Sequence, residues 1–541
     1  MSAPTKNIKV NSVLNKSFQN LSNFFILSLI TKVITLGCNI LLARFISKEA
    51  YGITKIYFEF AFTLICFFPK ETIRKTAQKF CPDKSPSKED YKYYLTCKLY
   101  FIIFIIMIIF TLFTFIAFVM FSNENVKNNS IQLIIFMICG LCELLVEPVI
   151  VYMNLKIENK RIGFSISALF RVVSNLLFAM LFKFDLWSFT IGRIIGTIGY
   201  VGYFGYFAFV KYKLKVKEMI PKWNELFSQD KKTDEKDVDV VKEVLGSFVK
   251  STLLKMVIQN CEKVILSFVL DNTNEEKGEY SFVIDKFGLI NGILLEPVEE
   301  NFYNVINKIK NYDNNNDKDK DKGNSERSLN ILKLFVKAML LFGTFLVGYV
   351  FLIGKEIFEI VFSSKWASLS TIKIAKIYSI YVAIISVNGI VESYASATNN
   401  TQQMNQTNIL MISNSCMLMV LSFLLSKVDI CGLIYANAIS MIIRIFGNLY
   451  IIFWSKQSEK QERQWKGINT FINEYYLSYG SIIGTVSCLS FGWFVKESML
   501  GGKGNFVKIC ACGMIGVINL GLVVLFEKNR IKKEIQKIKR D

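Results

Sequence analysis

Histidine is absent from all 541 residues. Its absence excludes imidazole bases, His-ligated metals and His proton relays together, leaving any proton coupling to carboxylates and lysines. Proline is scarce, at 7 residues, so little interrupts long helices. The 12 cysteines do not build a disulfide framework. Most fall inside apolar runs, where cysteine acts as a small apolar residue, and the loops read below as extracytosolic hold almost none. Cys139-x-x-Cys142 has the spacing of a redox motif without its context, since it lies in an apolar run with no βαβ pattern. What the chain has in excess is apolar side chains: 52% of residues, with mean hydropathy +0.36.

Those residues collect into segments of the roughly 20 apolar positions that cross a bilayer as a helix. About fourteen are readable, near 22–43, 52–69, 95–121, 131–153, 163–182, 186–210, 247–270, 280–307, 329–354, 370–397, 406–426, 429–454, 470–495 and 505–526. The expected fold is an all-α polytopic membrane protein of about fourteen transmembrane helices. The eighth segment is the least apolar and is expected to be broken or partly cavity-lining. Polar sequence precedes the first segment and no small-residue cleavage site follows it, so it reads as a retained span.

A net charge of +20 suggests nucleic acid until its distribution is followed. Lys and Arg collect on alternate loops, such as KETIRKTAQKFCPDKSPSKEDYK, SKQSEKQERQWKG and the tail EKNRIKKEIQKIKRD. The intervening loops FSNENVKNNS, LDNTNEEKGEY and FKFDLW hold one basic residue each or fewer. This is the positive-inside pattern; it places both termini in the cytosol and makes membrane lipids, not nucleic acid, the expected partner. Lys537 and Lys539 in the tail have the spacing of a cytosolic dilysine retrieval signal, a pattern that basic tails also produce without that use.

Several spans carry charge at their centres: Lys32 in the first, Glu143 and Glu147 in the fourth, Glu392 in the tenth. An ionisable group at bilayer depth costs about 2.5–3.5 kcal/mol on insertion scales, so it usually faces a polar cavity. Helical spacing gathers the polar residues into faces: Lys32 with Asn39, Glu143 with Glu147, Arg171 with Asn175, Lys255 with Glu262, Asn388 with Glu392, Asn437 with Arg444. Glu147-Pro148 is expected to kink its helix. The cations Lys32, Arg44, Lys70, Arg74, Lys160, Arg171, Lys255 and Arg444 predict a cationic cleft suited to an anionic ligand. For Lys70, Arg74 and Lys160, which lie near span ends, snorkelling to the interface is the alternative.

The chain also repeats weakly. Pro69 aligns with Pro297 and Glu71 with Glu299; Glu147 aligns with Glu392 and Asp185 with Asp429, in the same order and at nearly constant separation. Parallel six-span halves would produce this, with the ligand site near the midplane. The predicted organisation is a six-helix bundle over 1–211, a charged cytosolic linker over 212–245, and a second six-helix bundle over 246–455. The second bundle carries a disordered low-complexity loop at 311–327, and 456–541 adds two helices and a basic tail.

The segments NILLARFISKEAYGI, FFPKETIRK, CELLVEP, FVKSTLLKMVIQNCEKVILSFV, LEPVEENFY, VNGIVES and GLIYANAISMIIRI together resemble the Rft family of endoplasmic-reticulum membrane proteins, over roughly residues 25–455. That family belongs to the multidrug, oligosaccharidyl-lipid and polysaccharide exporters. The resemblance implies fourteen helices in two six-helix bundles plus two, and residence in the endoplasmic reticulum. It implies translocation of dolichyl-diphosphate-linked oligosaccharide to the lumenal leaflet for N-glycosylation, alongside partners in the glycosylation machinery, with no cofactor and no enzymatic step. The family's charged positions fall on Lys32, Arg44, Lys70, Glu71, Arg74, Lys160, Glu262, Glu299, Glu300 and Arg444. Two departures are evident: Lys32 and Lys70 stand where the family more often has Arg, and NCEKV lacks the family's Gly before Glu262.

Three functions fit this reading. One is a flippase that works by alternating access. Another is an ion-coupled exporter of small molecules that uses Glu147 or Glu392. The third is an accessory factor of the lipid-linked oligosaccharide pathway that moves nothing. A membrane glycosyltransferase fits poorly, because the outer loops are too short to house a catalytic site.

Overall fold

The computed structural model describes residues 30–80, 86–121, 124–155, 161–211, 249, 252, 256, 260, 262–270, 272–313, 321–399, 401–454, 479–500 and 504–540. Helices and their turns make up these residues, and no strand occurs among them. They fall into two units, Met1–Phe268 and Val269–Asp541.

In the first unit, α1 (30–45) leads through a bend to α2 (Lys48–Gly52), whose N-cap Ser47 accepts a hydrogen bond from the Ala50 amide. A π-helical turn, Ile53–Phe58, continues into α3 (Glu59–Phe80). Next come α4 (Pro86–Phe121), the short α5 (Glu124–Asn128), α6 (Ser130–Leu145), α7 (Glu147–Leu155), α8 (Arg161–Phe182) and α9 (Leu186–Tyr206). The break between α6 and α7 falls at Val146, two residues before Pro148. The proline lacks an amide to donate and its ring crowds the preceding turn, as its position in the sequence predicts.

The α8–α9 hairpin is the tightest packing in this unit. Any side chain at Gly192 would strike Asn175, and at Gly196 it would strike Arg171, so glycine lets the two backbones approach. Ser167 Oγ donates to the Gly196 carbonyl at 2.8 Å across that seam.

The described end of the predicted seventh span lies up to Phe268 in the first unit, where Ser267 Oγ donates to the Ile56 carbonyl at 3.1 Å. The Phe268 ring lies 5.0 Å from that of Phe118.

The second unit holds α10 (Asn274–Ile290), a π-helical turn Asn291–Leu295, α11 (Glu296–Asp313), α12 (Asp321–Val361) and α13 (Leu369–Thr398). Beyond these lie α14 (Thr401–Ser426), α15 (Gly432–Trp454), α16 (Tyr479–Phe494) and α17 (Asn505–Arg540). Thr273 and Glu276 close a capping box at the start of α10. Between α12 and α13, Trp366 is fully buried and stacks on Phe282 with centroids 3.8 Å apart. The loop predicted as disordered over 311–327 is helical at both edges, since α11 runs to Asp313 and α12 starts at Asp321. Both helices extend past their apolar spans because the flanking Lys, Asp, Asn and Glu residues, though polar, do not break a helix as proline would.

Nine stretches among the described residues are long and apolar enough to cross a membrane. The predicted eighth span is not among them: α10 and α11 carry Glu279, Lys286, Glu296 and Glu299 and meet at the π-turn. The predicted sixth span, 186–210, is not among them either. Parts of the predicted first, seventh and thirteenth spans, and the predicted linker 212–245, lie outside the described residues.

Candidate functional site

Two sets of charged side chains sit at the depth of the apolar helices, one in each unit. In the first, α3 supplies two cations one turn apart. Lys70 Nζ contacts Glu143 Oε2 of α6 at 2.8 Å, over the Tyr200 ring at 5.1 Å. The Arg74 guanidinium forks onto both oxygens of Glu147 on α7, with its Nη2 bond at 3.1 Å. The Glu147 side chain is wholly buried. The helical break at Val146 brings both glutamates to α3, Glu143 from above the break and Glu147 from below it.

A further group in this unit escaped the sequence reading. Arg193 of α9 is 5% exposed, lies 3.8 Å from Glu59, and packs its guanidinium over Phe62 at 4.1 Å. Lys55 holds the other side of Glu59 at 3.1 Å. The readable signal is an arginine in the apolar run IGRIIG.

The second unit brings together Glu392 and Asn388 of α13, Arg444 of α15 and Glu299 of α11. One nitrogen of Arg444 reaches both Glu392 oxygens, at 2.8 and 2.7 Å. Asn388 Nδ2 donates to Glu392 Oε2 at 3.1 Å. Glu299 presses its carboxylate against Gly389, where any β-carbon would displace it. These groups line a cavity of about 540 Å³ together with Tyr303 and Ser396.

A second cavity of about 550 Å³ opens on neighbouring faces of the same helices. Val387 of α13 and Ile442 and Phe446 of α15 line it, with Val347 of α12 and Leu489 of α16. Its wall is almost wholly apolar.

The remaining predicted residues are placed as follows. Lys32 and Asn39 are half-buried on α1, and Arg44 is exposed there. Glu71 is half-buried on α3, as is Glu262 ahead of the π-turn Ile265–Val269. Glu300 is exposed and stands outside the residues lining the polar cavity. Lys160 and Lys255 lie outside the described residues.

Of the cations expected to line a cleft, Lys70, Arg74 and Arg444 have carboxylate partners. Each is matched to a carboxylate, so these positions offer no surplus of positive charge. A charge taken out of water is tolerated when its counter-charge and hydrogen bonds come with it, and that demand spends the cations on Glu143, Glu147 and Glu392. No cluster suited to a metal ion occurs among the described residues.

Comparison with known proteins adds the following. The model of the family described as Rft protein matches residues 16–537. The chain is 24% identical to the Man(5)GlcNAc(2)-PP-dolichol translocation protein RFT1 of Candida albicans, across 97% of this chain and 95% of the relative. It is 22% identical to the protein of the same name from Mus musculus, across 89% and 91%. Among solved structures it resembles the lipid II flippase MurJ in an inward closed conformation, with TM-score 0.66 at 17% identity, across 94% of this chain and 99% of that one. An inward-facing multidrug transporter of the MATE family matches with TM-score 0.54 at 11% identity, across 79% and 96%. At these identities the two structures bear on fold alone.

Proposed function

Because the chain belongs to the Rft protein family, we infer that it carries a dolichyl-diphosphate-linked oligosaccharide from the cytosolic to the lumenal leaflet of the endoplasmic reticulum, for protein N-glycosylation. The observation that carries this reading is the pairing of two cavities on α13 and α15. One is polar and the other apolar, and each helix lines both. A ligand with a polar head and a long isoprenoid tail needs that combination. A small cationic drug does not.

The barrier to such movement is the desolvation of the head group in hydrocarbon. A polar cavity at membrane depth replaces water's hydrogen bonds while the tail stays among apolar side chains, and no covalent bond changes. Alternating access, with the polar cavity opening in turn to each face of the membrane, completes the cycle. Fourteen spans with both termini in the cytosol fit the alternation of basic loops.

Purified protein in vesicles containing a fluorescent lipid-linked oligosaccharide is expected to speed its appearance in the opposite leaflet. Vesicles whose protein is folded yet moves none of it would favour an accessory role. Orientation is checked separately. Asn128, exposed at the end of α5 in the sequon Asn128-Asn129-Ser130, is expected to carry glycan in cells, whereas Asn399 and Asn405 are expected to stay bare. Glycan on Asn399 with none on Asn128 would reverse the topology.

A further inference from the structure

The polar cavity of the second unit is poor in cations for a diphosphate. Glu299 and Glu392 face it, and Arg444 is the one cation among its described lining residues. Arg444 is already committed to Glu392, which leaves the Glu299 carboxylate with no cation in contact among the described residues. An incoming diphosphate would find no uncommitted cation among the described lining residues, in a medium that screens charge poorly. A metal cation would meet the Arg444 guanidinium.

The hydrogen-bonding groups show what would fit. Asn388 is 5% exposed, its Nδ2 is used by Glu392, and its Oδ1 has no partner although it is buried. A buried acceptor left without a partner is unfavourable, so the site gains from a ligand that brings donors. Glu299 adds two more acceptor oxygens. The phosphate oxygens of a diphosphate are acceptors, whereas sugar hydroxyls donate. Tyr303, one turn beyond Glu299 on α11 and 39% exposed, adds an aromatic face of the kind that C–H surfaces of a pyranose cover. The volume of about 540 Å³ falls within the usual range for small-molecule sites.

We propose that this cavity holds part of the neutral carbohydrate of the substrate, with sugar hydroxyls donating to Glu299 and to Asn388 Oδ1, and that the diphosphate is held elsewhere. Glu392 and Arg444 then act as positioning residues that fix Asn388. The assignment rests on the transport reading above, and the experiment separates the two.

Full-length protein in nanodiscs is titrated with farnesyl-diphosphate-linked mannosylated chitobiose and with farnesyl diphosphate alone. The wild type is expected to bind the sugar-bearing lipid more tightly. Asn388→Leu and Glu299→Gln are expected to weaken that ligand about tenfold, the loss of roughly one hydrogen bond to a buried or charged group, and to leave farnesyl diphosphate within about twofold. Glu299 is only half-buried, so its glutamine variant keeps the test alive if Asn388→Leu does not fold. Equal losses for both ligands, or an unchanged affinity for the sugar-bearing lipid in Glu299→Gln, would overturn the sugar assignment alone. A wild type that binds neither ligand would overturn the transport reading with it.

Discussion

Replacing Arg74 with alanine is expected to remove most of the folded protein. Its partner Glu147 has no exposed side-chain surface, so the variant buries a carboxylate with its counter-charge gone. Breaking a buried pair from one side costs about 3–5 kcal/mol, a large part of the stability of a typical domain. Arg74→Lys keeps the charge and loses the fork, and is expected to fall between. The double variant Arg74→Met with Glu147→Met removes both charges and keeps similar volume, so it is expected to recover abundance. Detergent-solubilised protein, measured by fluorescence-detected size exclusion after a heating series, reads all three. An Arg74→Ala variant as heat-resistant as the wild type would mean that this pair does not hold α3 to α7.

The second large effect is expected at Arg444, and on activity more than on abundance. Its side chain and that of Glu392 are 19% and 31% exposed, so water reaches both and the stability cost is smaller than for the Arg74 pair. Without the guanidinium, Glu299 and Glu392 face one cavity with no cation between them. Asn388 then loses the fixed partner that orients it. Transport per folded molecule is expected to fall about tenfold or more in Arg444→Ala, as a lost charge-assisted hydrogen bond implies, with Arg444→Lys intermediate. Arg44→Ala is expected to cost less, since Arg44 is exposed on α1. Full transport per molecule in Arg444→Ala would remove this residue from the site.

The sequence made the individual charges legible and hid their pairing. Glu147, Glu392, Lys70, Arg74 and Arg444 all stand out as ionisable residues in or beside apolar runs. Which carboxylate each cation meets depends on how α3, α6, α7, α13 and α15 are rotated about their axes, and helical spacing within one segment carries no such information. The pairing of Lys70, Arg74 and Arg444 was hidden for that reason. The break before Pro148 was readable because its cause is local. Arg193 was missed because it is a lone charge whose partner, Glu59, lies on another helix, although Lys55 and Glu59 stand four residues apart in one. The aligned pair Glu147 and Glu392 shows how far the repeat can mislead in detail: Glu147 takes its arginine from α3, Glu392 from α15. An alignment of residues does not align their contacts.

The π-helical turn at Asn291–Leu295 has a further consequence for how this gene can vary. A π-turn holds one residue more than the α-helix it interrupts, and each residue advances a helix by about 100°. Glu299 and Tyr303 reach the polar cavity only with that offset in place. Loss of a single codon between 291 and 295 would let the ladder close as ordinary α-helix and turn both side chains about a quarter-turn or more away, with no change in the composition of the wall. This stretch of coding sequence therefore tolerates substitutions far better than it tolerates a change of length.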